Sequence, residues 1–311
     1  MLTRILPGQL VGLISFSLHT MNTFFWFAPI VVLALVKALI PIKPVTQSCN
    51  YLLNSFASGW ISVNSFVTNM SKPIQWEVTL PENLSTKDWY LVIANHQSWV
   101  DILALQQVFN RKIPFLKFFL KQQLFWVPVL GLAWWALDFP FMKRYTKSYI
   151  KKNPDKKGKD FETTKKACEK FKTLPISIMN FAEGTRFTPE KHARQNSPYQ
   201  RLLKPKSGGI GYVMTLMGDE INKVLNVTID YPDNDNFTFW DFMCGKVRRI
   251  QLHAELIEIP AIAKGNYIEN AETRKSVQQW VNQMWREKDQ FLTGTSREII
   301  EQPVESKAAN H

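Results

Sequence analysis

The sequence predicts an α/β fold: a mixed sheet covered by helices, preceded by an N-terminal hydrophobic membrane-anchoring segment. Three observations carry this. From residue 74 onward, short apolar or alternating runs take turns with helix-like stretches. Residues 1–76 contain no Asp or Glu, and their only basic residues are Arg4, Lys37, Lys43 and Lys72. Across all 311 residues, 45% are hydrophobic and 21% charged, an ordinary globular composition. It excludes wholesale disorder, a collagen-like chain and a pure bundle of membrane spans.

The elements follow in order. Phe24 to Ile42 reads FFWFAPIVVLALVKALIPI, 19 residues with the single charge Lys37 near its end. As a helix it would extend about 28 Å, close to the bilayer core. A cleaved signal peptide would have a shorter apolar core and a small-residue cleavage site, whereas this run ends in Pro41, Ile42, Lys43 and Pro44. With the apolar Ile5 to Leu18 before it, the anchor is either one span or a hairpin of two helices in one leaflet. We assign residues 1–45 to the anchor, 46–73 to a connecting segment, 74–292 to the main domain and 293–311 to a polar tail.

Ile74 to Leu80 alternates as a half-buried strand does, and Trp89 to Ala94 is a continuous apolar run typical of a central strand. Ser98 to Phe109 reads as a helix. Leu124 to Phe141 is apolar but broken by Pro128, Gly131, Asp138 and Pro140. It is either core or an interfacial segment, with Trp126, Trp134 and Trp135 suited to headgroups. Asp160 to Lys172 reads as a helix capped by Asp160. Pro175 to Phe181 is a strand, Lys206 to Met217 a helix, Val224 to Asp230 and Val247 to Ile259 strands, and Ala271 to Leu292 a helix.

The formal net charge of +12 favours acidic partners. Ten Lys or Arg stand against three acids between Lys143 and Lys166. Beside an anchor such a run can lie against anionic lipid, at about 1 kcal/mol per basic residue, on the cytosolic side. No nucleic-acid motif accompanies it, and the aromatics cluster in apolar runs rather than among the lysines, so nucleic acid is not expected as a partner. Cys49, Cys168 and Cys244 form no C-x-x-C pair, which supports neither a disulfide framework nor a zinc site. His19, His192 and His253 show no metal-ligand spacing, and no metal is expected. Cys168, on a Lys-rich helix, reads as a passive thiol.

Two strand ends carry the candidate chemistry. After WYLVIA comes Asn95-His96-Gln97-Ser98-Trp99-Val100-Asp101. A His and an Asp five apart at a strand-to-helix junction can meet. The carboxylate then fixes the imidazole tautomer, and the other ring nitrogen serves as a base, worth about 10²–10⁴-fold. After the strand ending at Phe181 comes Ala182-Glu183-Gly184-Thr185-Arg186. Here Gly permits a tight turn and Arg offers a fork that matches phosphate oxygens. Taken singly, each is also compatible with a helix cap or an ordinary surface turn. Gly208, Gly209 and Gly211, next to Tyr212, read as helix-to-sheet packing rather than a phosphate cradle. There is no G-x-S-x-G, Walker-A or G-x-G-x-x-G pattern.

Together, N-H-x-S-W-x-D and F-x-E-G-T-R resemble the glycerolipid acyltransferase family, which includes 1-acylglycerol-3-phosphate acyltransferases. The likeness spans roughly residues 75 to 235 and leans toward bacterial inner-membrane members. It implies a glycerolipid acyltransferase-like fold and His96 as general base with Asp101 orienting it. It also implies acceptor binding by Arg144, at the end of a second block (residues 139–144), and by Glu183, Gly184, Thr185 and Arg186. Val227 to Pro232 would be the fourth block. The implied reaction moves an acyl chain from acyl-CoA or acyl carrier protein to a lysophospholipid hydroxyl, with lysophosphatidic acid the first choice and another lysophospholipid the alternative. No covalent acyl-enzyme and no resident cofactor are implied. The implied location is the cytosolic face of the inner membrane. Three positions depart from the pattern. Ala182 stands where many members have Pro, the second block lacks its usual starting glycine, and Asp230 is a charge in a normally apolar block.

Overall fold

A computed structural model describes residues 2–142, 152, 159–172, 174–221, 223–233 and 236–294. Arg144, most of the basic run 143–158 and the tail beyond 294 lie outside the described residues.

The chain opens with two long helices, α1 (Gly8–Leu39) and α2 (Lys43–Ser71). Ile40 to Ile42 break the backbone, and Pro44 sits in the first turn of α2, where a missing N–H costs nothing. Residues 46–73, read above as a connector, are therefore mostly the second arm of a helical hairpin. Its seam is polar. The Asn22 amide donates to Asn64 Oδ1 at 2.9 Å and to the Trp60 carbonyl at 3.0 Å, and the Trp60 indole donates to Thr23 Oγ1 at 3.2 Å. His19 lies 3.3 Å from Thr68 Oγ1. At Gly59 an added Cβ would lie 2.6 Å from the Trp26 ring, so the absence of a side chain lets that indole dock. Outside the seam the hairpin exposes Leu13, Phe16, Phe24, Phe25, Val32, Leu35, Tyr51 and Phe66. The hairpin thus buries a polar strip beside apolar residues such as Leu53, Ala57 and Ile61 and keeps a largely apolar outer surface, which suits a lipid surrounding. Among the described residues, α1 is the one helix long and apolar enough to cross a membrane.

Among the described residues, the main sheet has six strands in the order β1-β8-β7-β2-β6-β3. These are β1 (Gln75–Thr79), β2 (Tyr90–Ala94), β3 (Leu116–Phe118), β6 (Ser177–Phe181), β7 (Lys223–Asp230) and β8 (Arg249–Ile257). Only the β7–β8 pair is antiparallel. Strands β2, β3, β6 and β7 therefore run together and end on one edge. β2 is buried on both faces, which explains its unbroken apolar run. Tyr90, Val92 and Ala94 join one core layer, under the hairpin, α3 (Val100–Phe109), α4 (Leu130–Ala136) and α8 (Phe239–Met243). Leu91 and Ile93 join the other, under α5 (Lys159–Phe171), α7 (Gly208–Met217) and α9 (Ala271–Thr293). This alternation is the period-2 geometry of a strand.

Leu124 to Phe141 is no span. It breaks into a short 3₁₀ turn, α4 and β5 (Phe141–Met142), which pairs with β4 (Leu120–Lys121). Pro128 and the positive φ of Val129 (66°) and Asp138 (57°) interrupt it. Trp126 is 79% exposed, while Trp134 packs on the core. α5 begins at Lys159, so Asp160 stands in its first turn rather than at its cap. A further short helix, α6 (Pro189–Gln195), is capped by Thr188, whose Oγ1 accepts from Lys191 N at 3.3 Å.

Candidate active site

Strand register brings the two candidate loops level. Ala94 pairs with Phe181 on one side and Val227 on the other. His96 and Glu183 each lie two residues past that line, on the shared C-terminal edge, where parallel strands place their ligands. The loops are also bonded directly, Phe187 N donating to the His96 carbonyl at 2.7 Å. Asn95, fully buried, clamps the next strand. Its side chain donates to the Ile229 carbonyl and accepts from Ile229 N, both at 2.9 Å.

His96 Nδ1 lies 2.8 Å from Asp101 Oδ2. The same oxygen accepts from Gln97 N at 2.7 Å and Ser98 N at 3.0 Å, so the start of α3 closes around the carboxylate. Asp101 is fully buried. The imidazole is 13% exposed and stacks on Phe181, with centroids 3.9 Å apart and planes 16° off parallel. With Nδ1–H given to Asp101, Nε2 keeps a lone pair. Tyr231 donates to Asp101 Oδ1 at 2.6 Å; it stands in the fourth block and Phe181 opens the F-x-E-G-T-R run, but the sequence assigned neither a role at the site. Phe181 could have been found, as the last strand residue before a candidate loop; Tyr231 lies 130 positions from its partner.

The second loop turns at Gly184, whose φ of 69° suits a residue without Cβ. Arg186 lays its guanidinium over the Trp99 ring, 4.8 Å from the centroid, so the first motif supports the arginine of the second. Lys191 on α6, another residue the sequence did not flag, donates to Thr185 Oγ1 at 3.0 Å and to the Arg186 carbonyl at 2.8 Å. Its ammonium is held below its ordinary range, first by burial and then by Arg186, Lys121 and Arg194 nearby. Thr185, Arg186 and Lys191 thus make a cationic floor suited to an anion.

Glu183 is different. It has no exposed surface, and neither carboxylate oxygen meets hydrogen-bonding geometry. Burial, with the Asp101 charge adding, holds it well above the usual carboxylate range, opposed by the Trp285 indole, the Leu203 amide and Lys288. Its carboxylate lies beneath the loop, away from solvent. Arg144, the remaining expected acceptor residue, lies outside the described residues. Asp230, the odd charge of the fourth block, meets Arg201 Nη2 at 3.2 Å. The glycine-rich turn is packing: a Cβ at Gly209 would strike the Asn180 side chain at 2.5 Å, and one at Gly211 the Tyr267 ring at 2.1 Å. Burial pushes the Cys168 thiol up to about 12, which makes it passive at neutral pH.

Residues 75–229 match the Acyltransferase family model. The chain is 24% identical over 222 residues to the 1-acyl-sn-glycerol-3-phosphate acyltransferase gamma of Mus musculus, covering 65% of this chain and 52% of that one. It is 22% identical over 223 residues to the delta protein of Bos taurus, covering 68% and 54%. The chain thus spans about half the length of these curated relatives. Among solved structures, the 1-acyl-sn-glycerophosphate acyltransferase PlsC of Thermotoga maritima shares the fold, with a TM-score of 0.50 at 17% identity, over 94% of this chain and 96% of that one.

Proposed function

With residues 75–229 an acyltransferase-family domain, we propose that this chain transfers a fatty acyl group from acyl-CoA or acyl carrier protein to the free hydroxyl of a lysophospholipid, lysophosphatidic acid foremost. The observation that carries the reading is the His96–Asp101 pair, held 2.8 Å apart and joined through Phe187 to a cationic loop.

Each residue has a task. Arg186 and the Thr185 hydroxyl bind the acceptor phosphate, with Lys191 bracing both. Arg144 adds a further charge to the same phosphate. Gly184 allows the turn, and Glu183 supports it from below. The acceptor hydroxyl then reaches His96. Nε2 takes its proton as the oxygen attacks the thioester carbonyl, while Asp101 steadies the imidazolium through Nδ1–H. Collapse of the tetrahedral intermediate breaks the C–S bond. The thiolate recovers the proton from His96, leaving an ester and a free thiol. The chain's own residues supply the acid–base chemistry, and the thioester is a co-substrate.

The α1–α2 hairpin sets the site at a membrane. Its apolar exterior favours burial among acyl chains, and exposed Trp126 and Trp135 suit the headgroup layer. The basic run from Lys143 to Lys166 fits an anionic, cytosol-facing surface of a bacterial inner membrane.

The test is acyl transfer by purified full-length protein in lipid, with labelled acyl-CoA and acyl carrier protein offered alongside a panel of lysophospholipids. Lysophosphatidic acid should be the best acceptor. The His96→Ala variant should lose at least about a hundredfold in kcat while staying folded, a loss on the scale of removing a general base (~10²–10⁴). More than a tenth of the activity remaining in that variant would sink the assignment.

A further inference from the structure

The Asp101 carboxylate is engaged on both oxygens. Oδ2 faces His96 Nδ1 and two backbone amides, at 2.7 to 3.0 Å. Oδ1 accepts from the Tyr231 hydroxyl at 2.6 Å. Tyr231 follows β7 directly, is 1% exposed, and packs its ring on Phe237 with centroids 4.7 Å apart. A phenylalanine would fill that ring volume equally well. What the tyrosine adds is one buried O–H, and that O–H is aimed at the carboxylate that holds the candidate base.

Resting on the acyl-transfer reading above, we propose that Tyr231 is a positioning residue that fixes the Asp101 carboxylate in plane and sets the orientation and basicity of His96. The first half follows from geometry. A carboxylate bonded through Oδ2 alone can swing about its Cβ–Cγ bond, carrying Oδ2 away from Nδ1. A short bond to Oδ1 from the neighbouring strand holds both ends. The second half follows from charge. An O–H donor on Oδ1 draws electron density from the carboxylate, and so weakens the pull of Oδ2 on the imidazole N–H. Without that donor the imidazolium is better stabilised, and the base is protonated over more of the pH range. The phenol itself stays protonated, because burial and the adjacent Asp101 and Asp230 push it well above its ordinary value.

Other ionisable groups face this trio. Glu183 approaches from the loop after β6, with Lys288 of α9 near it. Asp230 precedes Tyr231 and is paired with Arg201. None of these is altered by Tyr231→Phe, so that variant reads the hydroxyl alone.

Two measurements on the full-length protein test the proposal. In the first, wild type and Y231F are compared for kcat, acceptor KM and pH profile. Y231F should lose about tenfold in kcat, keep KM, and move the acid limb of the profile upward by about half a pH unit. In the second, the His96 ring is titrated by NMR in histidine-labelled protein, assigned against His96→Ala. The titration should move upward in Y231F. An unmoved titration, or an unchanged acid limb, overturns the proposal. If Y231F fails to fold, 3-fluorotyrosine incorporated at position 231 keeps the shape and donates more strongly. The titration should then move downward, and no movement overturns the proposal equally. A wild type inactive on every acceptor would remove the acyl-transfer reading, and the NMR titration would still decide the role of Tyr231.

Discussion

Lys288 shows how much chemistry one buried side chain can store. It sits on α9, 2% exposed, and its ammonium donates to the Val227 carbonyl and Thr228 Oγ1 of β7. Burial brings it from 10.5 down to about 7, against the opposing pull of Glu255, Glu183 and Glu287. The folded chain therefore releases this proton near pH 7, while the unfolded chain holds it up to about 10.5. Between those limits the unfolded state binds more protons, so this residue makes stability rise with pH. Against Lys288→Met, wild-type protein should gain stability on the order of 4 kcal/mol between pH 7 and 10. Urea titrations of both proteins from pH 7 to 10 would measure it, and parallel curves would rule it out. Nothing in the sequence marks Lys288, one lysine in a polar helix. His96 and Asp101 were legible because five positions and one strand end suffice to bring them together. Phe181 and Trp99 stand in the two motifs, but their contacts, and the arrival of Tyr231 and Lys191, depend on pairing register and a helix turn that residue spacing does not disclose.

Among the elements, the central strands were the most legible. A strand buried on both faces must be apolar throughout, and WYLVIA can hardly be anything else. The helix α2 was the least legible, for an equally physical reason. Its inward residues include Asn64 and Thr68, and its outward ones Tyr51, Leu52 and Phe66. Cys49, Leu53, Ala57, Ile61 and Val67 do form a buried stripe, but the apolar residues on the other side blur the contrast that marks an amphipathic helix. The strand β3 was missed because it is only three residues long and Lys117 interrupts its apolar run, which leaves no periodicity to read. The hairpin should depend on close approach at Gly59. Gly59→Val would force the Trp26 indole from its place beside Phe56, where the rings are 5.6 Å apart. We expect a loss of about 1–3 kcal/mol, the usual range for overpacking. Thermal unfolding in detergent should show it, with cleavage between α1 and α2 by added protease rising in step. Unchanged melting and cleavage would mean the indole docks elsewhere.

At the scale of the whole molecule, the two arms of the hairpin hold their ends against the sheet domain. At the start of α1, a Cβ on Gly8 would lie 3.3 Å from the Cys244 carbonyl, and one on Gly12 would lie 2.6 Å from the Cys244 sulfur. Thr3 packs beside Gly245. Lys37, near the far end of the same helix, is ion-paired with Asp138 of the sheet domain. A helix of 32 residues, about 48 Å long, is thereby tethered near both ends to one body. Membrane topology follows from that tether. If α1 crossed the bilayer, Thr3 and the active site would face opposite compartments, and the Cys244 contacts would be torn apart. A retained contact puts residue 3 and α6 on the same side. Cysteines introduced at the exposed Arg4 and at Lys191's neighbour Glu190, in a chain whose own three cysteines are buried, should therefore both react with an impermeant maleimide in inside-out vesicles and both escape it in right-side-out ones. Opposite labelling would make α1 a true span. Same-sided labelling would make the chain a one-leaflet guest, and under the proposed reaction it would draw its lipid from the monolayer it floats in and be blind to the one beyond.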